Sequence, residues 1–414
     1  MTTTHSTDIL ILGAGPAGAA TALFLAKQGI ACTLVDKAKF PRDKICGDAL
    51  SGKVVEVLNK LNPELVSELH QDKQFLGSWG VTFVAPNEQA LRVPFITKKE
   101  NSKAPGFIAT RLDFDNWLIE KVKQQNTIQL IEETELRKFT RDEIGWLAES
   151  KNGLTIAAKL IIACDGAYST FSKQVGGLVT EPQHNCFGLR AYFDNVKDLD
   201  HENFIELHFL KDFLPGYFWI FPLPNGGANI GVGMRADKMT SKKINLKKSF
   251  EEIIANNKTI APRFKNAFQL GEIKQYGLPL GSKRRKLSGD NFILCGDAAQ
   301  LIDPFTGEGI GNAMMSGMLA AQQAAKCLAE DNFAAEFIAA YDHQVYHRLW
   351  SELQLSYRMQ QLVNFPSLFN FVVKKANSNS VLRETISCMF EDLDMRARLK
   401  DPRFYFKLLF SSSK

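Results

Sequence analysis

The sequence predicts an α/β protein in which a dinucleotide-binding domain is interrupted by a β-rich domain and followed by helices. A strand–helix–strand unit opens the chain, and short apolar strands ending in an acid beside a glycine occur far downstream. Strand-like segments with alternating apolar and polar residues lie between them. With 414 residues, 45% of them hydrophobic and 23% charged, the chain is long enough for two or three sub-domains.

The predicted domains follow from where these segments fall. Residues 1–75, 105–180 and 275–335 hold the opening unit and the later apolar strands, and we assign them to the discontinuous dinucleotide-binding domain. Residues 76–104 and 181–274 alternate as half-buried strands do, and we assign them to a β-rich substrate domain. Residues 336–414 are predicted to form a C-terminal helical segment.

The first motif is a glycine run between the apolar strand DILIL and a helix. Its first glycine permits a tight turn, its second lets a pyrophosphate approach the backbone, and its third allows close helix–strand packing. Asp36 ends the second strand and is placed to accept a hydrogen bond from a ribose 2′-hydroxyl, which favours FAD or NAD over NADP. The predicted dinucleotide contacts of this unit are Gly13, Gly15, Ala17, Gly18, Asp36 and Lys37.

Two later strands end in an acid beside a glycine, at Asp165 and at Asp297. Such an ending is often an ordinary turn, but Asp297 precedes the segment TGEGIGNAM, a glycine-rich turn that opens a helix. The edge of a flavin that becomes negative on reduction would be stabilised at the positive end of that helix. The predicted contacts of this turn are Gly307, Gly309, Ile310 and Gly311.

The glycine run and the two acid–glycine segments, in this order and spacing, resemble those of FAD-dependent enzymes of the aromatic hydroxylase fold. The resemblance implies an FAD-binding Rossmann-like domain with an inserted antiparallel sheet and C-terminal helices. It further implies that Asp297 binds the ribityl chain and that Arg111 lies near the flavin chain and phosphates. Ser172 stands where that family often has an arginine.

Within that fold, residues 6 to 330 are similar to the geranylgeranyl reductase family. The stretch FPRDKICGDAL resembles its Pro-Arg-x-Lys-x-Cys-Gly motif, and Tyr217, Trp219 and Phe221 match its Tyr-x-Trp-x-Phe-Pro motif. Asp48 stands where many members have a second glycine. The resemblance implies FAD-dependent reduction of carbon–carbon double bonds in an isoprenoid chain, carried on a lipid or a pigment precursor.

Cys46, Tyr217 and Trp219 are the predicted catalytic residues. Because alternate side chains of a strand share one face, Tyr217, Trp219 and Phe221 are expected to line one wall of the substrate site. Their ring faces would shelter positive charge that develops on an alkene carbon; alternatively, they are plain core residues. Cys46 and Gly47 are predicted to contact the flavin ring, with Cys46 either assisting proton delivery or acting as a small packing residue.

Two other functions stay open at this point. A flavin monooxygenase or halogenase acting on an aromatic substrate would share the fold, although halogenases carry Trp-x-Trp-x-Ile-Pro where this chain has Tyr217 and Phe221 at the ends. A lipid-binding flavoprotein without turnover is a non-enzymatic alternative. Because the chain has no second nicotinamide fingerprint, the electron donor is expected to be NAD(P)H or a ferredoxin partner.

The composition argues against several other classes. A net charge of +5 does not indicate nucleic acid, and no metal-ligand motif is present. Seven cysteines without a C-x-x-C pair, and no signal peptide, favour a cytoplasmic protein with reduced thiols. The basic segment SKRRK and the basic, aromatic segment RARLKDPRFYFKLLF either contact an anionic membrane surface or form a solvated loop and a docked helix.

Overall fold

The computed structural model describes residues 3–95, 103–379 and 382–383. The first part of the chain contains β1 (Thr3–Leu12), α1 (Pro16–Lys27), β2 (Cys32–Val35), β3 (Ala49–Leu50), α2 (Gly52–Leu61), α3 (Pro63–Gln71), β4 (Leu76–Ser78), β5 (Gly80–Val84), β6 (Ala90–Pro94), β7 (Gly106–Ile108), α4 (Arg111–Lys123), β8 (Ile128–Ile131), β9 (Leu136–Arg141), β10 (Trp146–Ser150), β11 (Leu154–Ala163) and α5 (Thr170–Gln174).

The second part contains β12 (Asn185–Asp194), β13 (Ile205–His208), β14 (Tyr217–Pro222), β15 (Ala228–Arg235), α6 (Ala236–Lys242), α7 (Leu246–Asn256), α8 (Ala261–Phe264), β16 (Phe268–Pro279), β17 (Ser288–Gly289), β18 (Phe292–Leu294), α9 (Ile310–Ala329), α10 (Ala335–Ile338), α11 (Ala340–Leu362) and α12 (Pro366–Asn377). Short 3₁₀ turns cover Pro182–His184, Lys211–Phe213 and Gly296–Ala299.

The largest sheet carries the nucleotide-binding unit. Its strand order is β17-β18-β11-β1-β2-β8, and the β9-β10 hairpin continues from β11. The five strands from β18 to β8 run parallel. Residues 9–12 of β1 are buried on both faces, as expected for a parallel strand covered on both sides. At Gly317 a side chain would approach the carbonyl oxygen of Ala17 to 2.4 Å, so glycine lets α9 pack closely on α1.

The second sheet has seven strands in the order β16-β12-β15-β14-β13-β5-β6. Neighbouring strands are antiparallel except β13 and β5, which come from distant parts of the chain and pair in parallel. Successive side chains of β14 point to opposite faces of the sheet, as the sequence predicts. Phe218 and Ile220 join one core with α7 and α8, whereas Trp219 and Phe221 join another on the opposite face.

A small sheet, β3-β7-β4, and the C-terminal helices complete the described residues. The helices predicted from residue 336 onward are seen as α10, α11 and α12. The segment RARLKDPRFYFKLLF lies outside the described residues. Within the described ranges, none of the helices combines the length and the apolar character that crossing a membrane requires.

Candidate functional site

The glycine run forms the tight turn that the sequence predicts. Gly13 follows β1 with φ +90°, and a side chain there would meet the carbonyl oxygen of Cys164 at 2.6 Å. A side chain on Gly18 would lie 1.9 Å from the carbonyl oxygen of Gly13, so α1 packs too closely for any other residue. A side chain on Gly15 would meet only the tip of Arg42, at 3.5 Å. The turn therefore leaves an open backbone surface at the start of α1.

Asp36 is fixed at the end of β2 by backbone amides. Its Oδ2 accepts a hydrogen bond from the Ala14 amide at 2.7 Å, and its Oδ1 accepts one from the Ala38 amide at 2.8 Å. Each carboxylate oxygen has a second lone pair, so the predicted hydrogen bond from a ribose hydroxyl remains compatible with this geometry.

A first cavity, which we call the dinucleotide cavity, runs along the ends of these strands. Most residues predicted to contact the dinucleotide line it, namely Gly13, Gly15, Ala17, Asp36, Lys37, Arg111, Asp165 and Asp297. Gly18 acts instead through helix packing. Arg42 and Lys44 also line this cavity but were not predicted, although both lie in the same stretch as Cys46.

The polar groups around the dinucleotide cavity fit FAD. Asp115 holds Arg42 and Arg111 together, with Oδ2 2.6 Å from Arg42 Nη1 and 2.6 Å from Arg111 Nη2. Although burial opposes its ionisation, the two guanidinium groups hold the pKa of Asp115 below its ordinary value. Asp165 Oδ1 is buried without a hydrogen-bond partner in the described protein, and can accept one from a ligand hydroxyl. Oriented cations and a free acceptor are what a diphosphate and a sugar chain require.

A second cavity, the aromatic cavity, adjoins the first. Its wall includes Cys46, Gly47, Tyr217, Trp219 and Phe221, together with the loop that leads into α9. Lys44, Arg111, Tyr276 and Asp297 line both cavities, so the two meet there. At the junction Lys44 Nζ lies 3.0 Å from Asp297 Oδ2. A ligand that fills the dinucleotide cavity can thus extend its reactive end into the aromatic cavity.

The three predicted aromatic residues share one wall of this cavity. The ring centroids of Tyr217 and Trp219 lie 6.0 Å apart, and those of Trp219 and Phe221 lie 6.3 Å apart. Gly231, which pairs with Trp219 on β15, makes room for the indole, because a side chain there would lie 2.1 Å from Trp219 Cζ2. Phe221 packs on Gly47, where a side chain would lie 2.9 Å from its ring.

The loop before α9 is tied to the aromatic wall. The Tyr217 hydroxyl donates a hydrogen bond to the Thr306 carbonyl at 3.0 Å. Gly307 has φ +74°, and a side chain there would lie 3.0 Å from that hydroxyl oxygen. Burial raises the pKa of Tyr217, so its hydroxyl stays protonated and remains a donor. Tyr217 therefore positions this loop as well as lining the wall.

The helix start needs one correction. Gly309 and Ile310 line the aromatic cavity as predicted, but the Gly311 amide donates to Glu308 Oε1 at 2.5 Å. Ser51 Oγ donates to the same carboxylate oxygen at 3.1 Å. The Gly311 amide is therefore engaged by the chain itself, because a glutamate side chain caps the helix. The amides of Gly309 and Ile310 remain the predicted contacts.

Cys46 lines the aromatic cavity, and its predicted contact with the flavin ring stays a prediction. Its carbonyl accepts a hydrogen bond from Asn229 Nδ2 at 2.7 Å, and its thiol lies beside the Arg111 guanidinium. Burial raises the pKa of the Cys46 thiol, and the positive charge of Arg111 only partly opposes this shift. The thiol is therefore neutral at rest, and its catalytic role stays a prediction.

Asp48 was missed as a site residue, although its departure from the family pattern was a signal. It is fully buried, with φ +69°, and lines the aromatic cavity. Its Oδ2 accepts hydrogen bonds from Tyr192 Oη at 2.7 Å and from Asn229 Nδ2 at 2.8 Å. Neither partner could be found from sequence, because both lie more than a hundred residues away on β12 and β15.

Known proteins match nearly the whole chain. Residues 6–354 match the FAD binding domain family. The digeranylgeranylglycerophospholipid reductase of Methanococcus vannielii is 28% identical over 94% of this chain and 93% of the relative. Digeranylgeranylglycerophospholipid reductase 1 of Methanosphaera stadtmanae is 30% identical over 84% of this chain and 81% of the relative.

Solved structures match the fold. A geranylgeranyl bacteriochlorophyll reductase-like protein from Thermoplasma acidophilum superposes with a TM-score of 0.80 at 21% identity, covering 99% of this chain and 97% of the other. A flavin-dependent brominase superposes with a TM-score of 0.73 at 20% identity, covering 93% and 94%. These findings confirm the predicted fold class. The chain belongs to the FAD binding domain family and, within it, to the geranylgeranyl reductases, an FAD-dependent group of oxidoreductases.

Proposed function

We propose that this protein reduces carbon–carbon double bonds of an isoprenoid chain carried on a lipid or a pigment precursor. The observation that carries the proposal is the junction of two cavities, one with dinucleotide-binding groups and one walled by Tyr217, Trp219 and Phe221. The names of the relatives, which are reductases of digeranylgeranylglycerophospholipid, support the isoprenoid class.

The residues of the aromatic cavity suit an alkene substrate. An isolated alkene accepts hydride poorly, so the site must favour a transition state with positive charge on carbon. The faces of Tyr217 and Trp219 are negative and apolar, and they stabilise such charge while excluding water. Bound FAD in its reduced form supplies the hydride. The residues predicted to contact FAD would hold its ring end beside Cys46 and Gly47.

Anaerobic turnover tests the proposal. Enzyme reduced with dithionite is incubated with geranylgeranyl-bearing lipids, and the molecular masses of the extracted lipids are measured by mass spectrometry. We expect a gain of two hydrogens per reduced double bond. Trp219→Leu should lower the rate strongly with FAD still bound, whereas Trp146→Phe, a buried tryptophan away from the cavities, should leave the rate unchanged. Unchanged lipid masses with fully reduced enzyme would refute the proposal.

A monooxygenase or halogenase is the second candidate, and the fold it shares with the brominase is the observation in its favour. Rapid mixing of reduced enzyme with oxygen distinguishes the two functions. A long-lived absorbance of an oxygen adduct, followed by an oxygenated or halogenated aromatic product, would select this second function. The reductase proposal expects rapid reoxidation without such a product.

The electron donor is also a matter of proposal. Among the two predicted donors, NAD(P)H and a reduced ferredoxin, neither has a dedicated motif in the chain. Anaerobic stopped-flow mixing of oxidised enzyme with NADH, NADPH or reduced ferredoxin will identify the donor by the bleaching of the flavin absorbance. A donor that bleaches the flavin only in the presence of lipid substrate would act by way of the substrate complex.

We further propose that the protein contacts a membrane surface beside the aromatic cavity. The side chains of Phe365 and Phe371 are 63% and 61% exposed, and Leu368 between them is half exposed. They lie next to Val363 and Asn364, which line the cavity, and are followed by Lys374 and Lys375.

The basic segment SKRRK gives weaker support to membrane contact, because two of its cations already have partners within the protein. Lys283 pairs with Glu181 at 2.8 Å, and Arg284 lies over the Trp350 ring at 4.8 Å. Sedimentation with vesicles of anionic and neutral lipid tests membrane contact. The double substitution F365S/F371S should reduce the bound fraction, and K374Q/K375Q should remove only its dependence on anionic lipid.

A further inference from the structure

Saturating an alkene consumes a proton as well as a hydride, and an isoprenoid chain that fills the aromatic cavity displaces the water that could supply it. The proton must then come from the cavity wall. Arginines keep their protons, and Lys44 is paired with Asp297. Burial raises the pKa of every tyrosine and thiol on the described wall, namely Tyr217, Tyr276, Cys46 and Cys186. Carboxyl groups are therefore the better candidates. Those on the described wall are Asp48, Asp297, Asp303 and Glu308.

Three of these carboxyl groups have other tasks. Asp297 is paired with Lys44 at the cavity junction. Asp303 Oδ1 accepts hydrogen bonds from the amides of Phe305 and Thr306, at 3.0 and 2.8 Å, and so shapes the loop before α9. Glu308 caps α9 through its bond with the Gly311 amide.

Asp48 has one free oxygen, as Glu308 does at Oε2, but Asp48 is joined to the aromatic wall rather than to the start of α9. Its side chain is completely buried, and both of its hydrogen-bond donors, Tyr192 and Asn229, are directed at Oδ2. Oδ1 has no partner in the described protein. When the carboxyl group is neutral its proton therefore resides on Oδ1, since Oδ2 already receives two hydrogens.

The carboxyl group is linked to the aromatic wall by hydrogen bonds. Trp219 Nε1 donates to Asn229 Oδ1 at 2.9 Å, and the amide nitrogen of Asn229 donates both to Asp48 and to the Cys46 carbonyl. Asp48 also follows Gly47 directly, and Gly47 contacts the Phe221 ring. One network thus fixes the acid, the predicted flavin-contacting segment and the predicted cation-sheltering ring relative to each other.

We propose that Asp48 is the acid that protonates the alkene in the aromatic cavity. The Oδ1–H bond breaks and a C–H bond forms at one alkene carbon with the electron pair of the double bond. Reduced FAD would supply a hydride, with its own electron pair, for the C–H bond at the other carbon. Asp48 is left as a carboxylate and regains a proton from solvent once product leaves. This assignment rests on the proposed reductase function.

The groups around Asp48 suit a reversible acid. Burial raises the pKa of Asp48 to about 6, whereas hydrogen bonds from Tyr192 and Asn229 and the charges of Arg190 and Arg111 oppose that rise. Of the groups that face it, Tyr192 and Arg190 come from β12, Arg111 from α4, and Cys46 from its own segment. The acid is neutral in mildly acidic solution, and its carboxylate is stabilised after the transfer.

Asp48→Asn tests the assignment in the holoenzyme. Asn keeps an oxygen for Tyr192 and Asn229 but has no acidic proton, so anaerobic alkene reduction should fall about 100- to 10,000-fold with FAD content unchanged. The wild-type rate should fall about tenfold per pH unit above about pH 6, and this decline should be absent from the variant's residual rate. Asp342→Asn, which alters a half-buried carboxyl group of raised pKa outside the cavities, should keep the wild-type rate and profile.

Two further measurements do not depend on the rate of D48N. Tyr192→Phe removes a donor to the carboxylate and should move the midpoint of the pH profile upward. In the resting oxidised holoenzyme, infrared spectroscopy should show a protonated carboxyl band that titrates near pH 6 and is missing in D48N. A wild-type rate in D48N, or loss of the alkaline decline in Glu308→Gln instead, would overturn the assignment alone. A wild-type enzyme that saturates no isoprenoid overturns the assignment together with the proposed function.

Discussion

The buried carboxyl group of Asp48 should make the stability of the fold depend on pH in a defined direction. Its pKa is about 6 in the folded protein, against an ordinary value of 3.8, because burial disfavours the charged form. Folding therefore favours the protonated group. Asp48→Asn removes the titration and keeps a neutral side chain of almost the same shape, so comparing the two proteins isolates this one group.

The magnitude follows from the two pKa values. One pKa unit corresponds to about 1.36 kcal/mol, so a rise from 3.8 to about 6 corresponds to about 3 kcal/mol. Below about pH 4 the group is protonated in both the folded and the unfolded state, so it does not change the free energy of unfolding. Between about pH 4 and about pH 6 the unfolded chain loses its proton first, and the free energy of unfolding falls by about 1.4 kcal/mol per pH unit. Above about pH 6 the loss is complete and constant.

Urea unfolding of the wild-type protein and D48N across this pH range measures the effect. Most other groups titrate alike in both proteins and cancel in the difference. The free energy of unfolding of D48N minus that of the wild type should rise by about 3 kcal/mol from about pH 4 to about pH 7. A difference that is independent of pH, or that rises toward acid, would refute the assignment of a neutral, buried carboxyl group.

Three further predictions concern packing and charge. Gly13→Ala should abolish FAD retention, measured by flavin absorbance after gel filtration, whereas Gly29→Ala, also at positive φ but with open space around it, should retain FAD. Gly231→Ala should displace the indole opposite it and lower the free energy of unfolding by about 1–3 kcal/mol, with a changed tryptophan emission; unchanged emission would contradict the close contact between Gly231 and Trp219. Lys53→Met should destabilise by about 1–3 kcal/mol, because the buried Glu352 loses one of its two cations and keeps Arg348, whereas Lys60→Met, at an exposed pair, should cost less than about 1 kcal/mol in urea unfolding.

Local patterns were sufficient to indicate which residues gather along the dinucleotide cavity. The glycine run, Asp36 and the later acids each sit at the end of a strand whose apolar residues identify it. Parallel strands bring their carboxyl ends to one edge of the sheet, so these separate motifs had to converge. The alternation of Tyr217, Trp219 and Phe221 likewise follows from the two-residue period of a strand.

The capping of α9 shows a feature that local sequence patterns cannot predict, namely which backbone amides remain free. A glycine-rich turn predicts accessible amides, but whether an amide is free depends on which side chain reaches it. Glu308 folds back onto Gly311, and Ser51 from the start of α2 holds the same carboxylate oxygen. Nothing in the order of residues brings Ser51 to that position.

By itself, the sequence determined the fold class, the cofactor and the wall of aromatic residues, because each depends on neighbours along one strand or one turn. The tertiary structure alone decided the chemical state of Asp48. Its burial, the two donors on Oδ2 and the free Oδ1 depend on β12 and β15, which are distant in the chain. A carboxyl group takes its pKa from the atoms that surround it in space, and those become known only when the sheet is assembled.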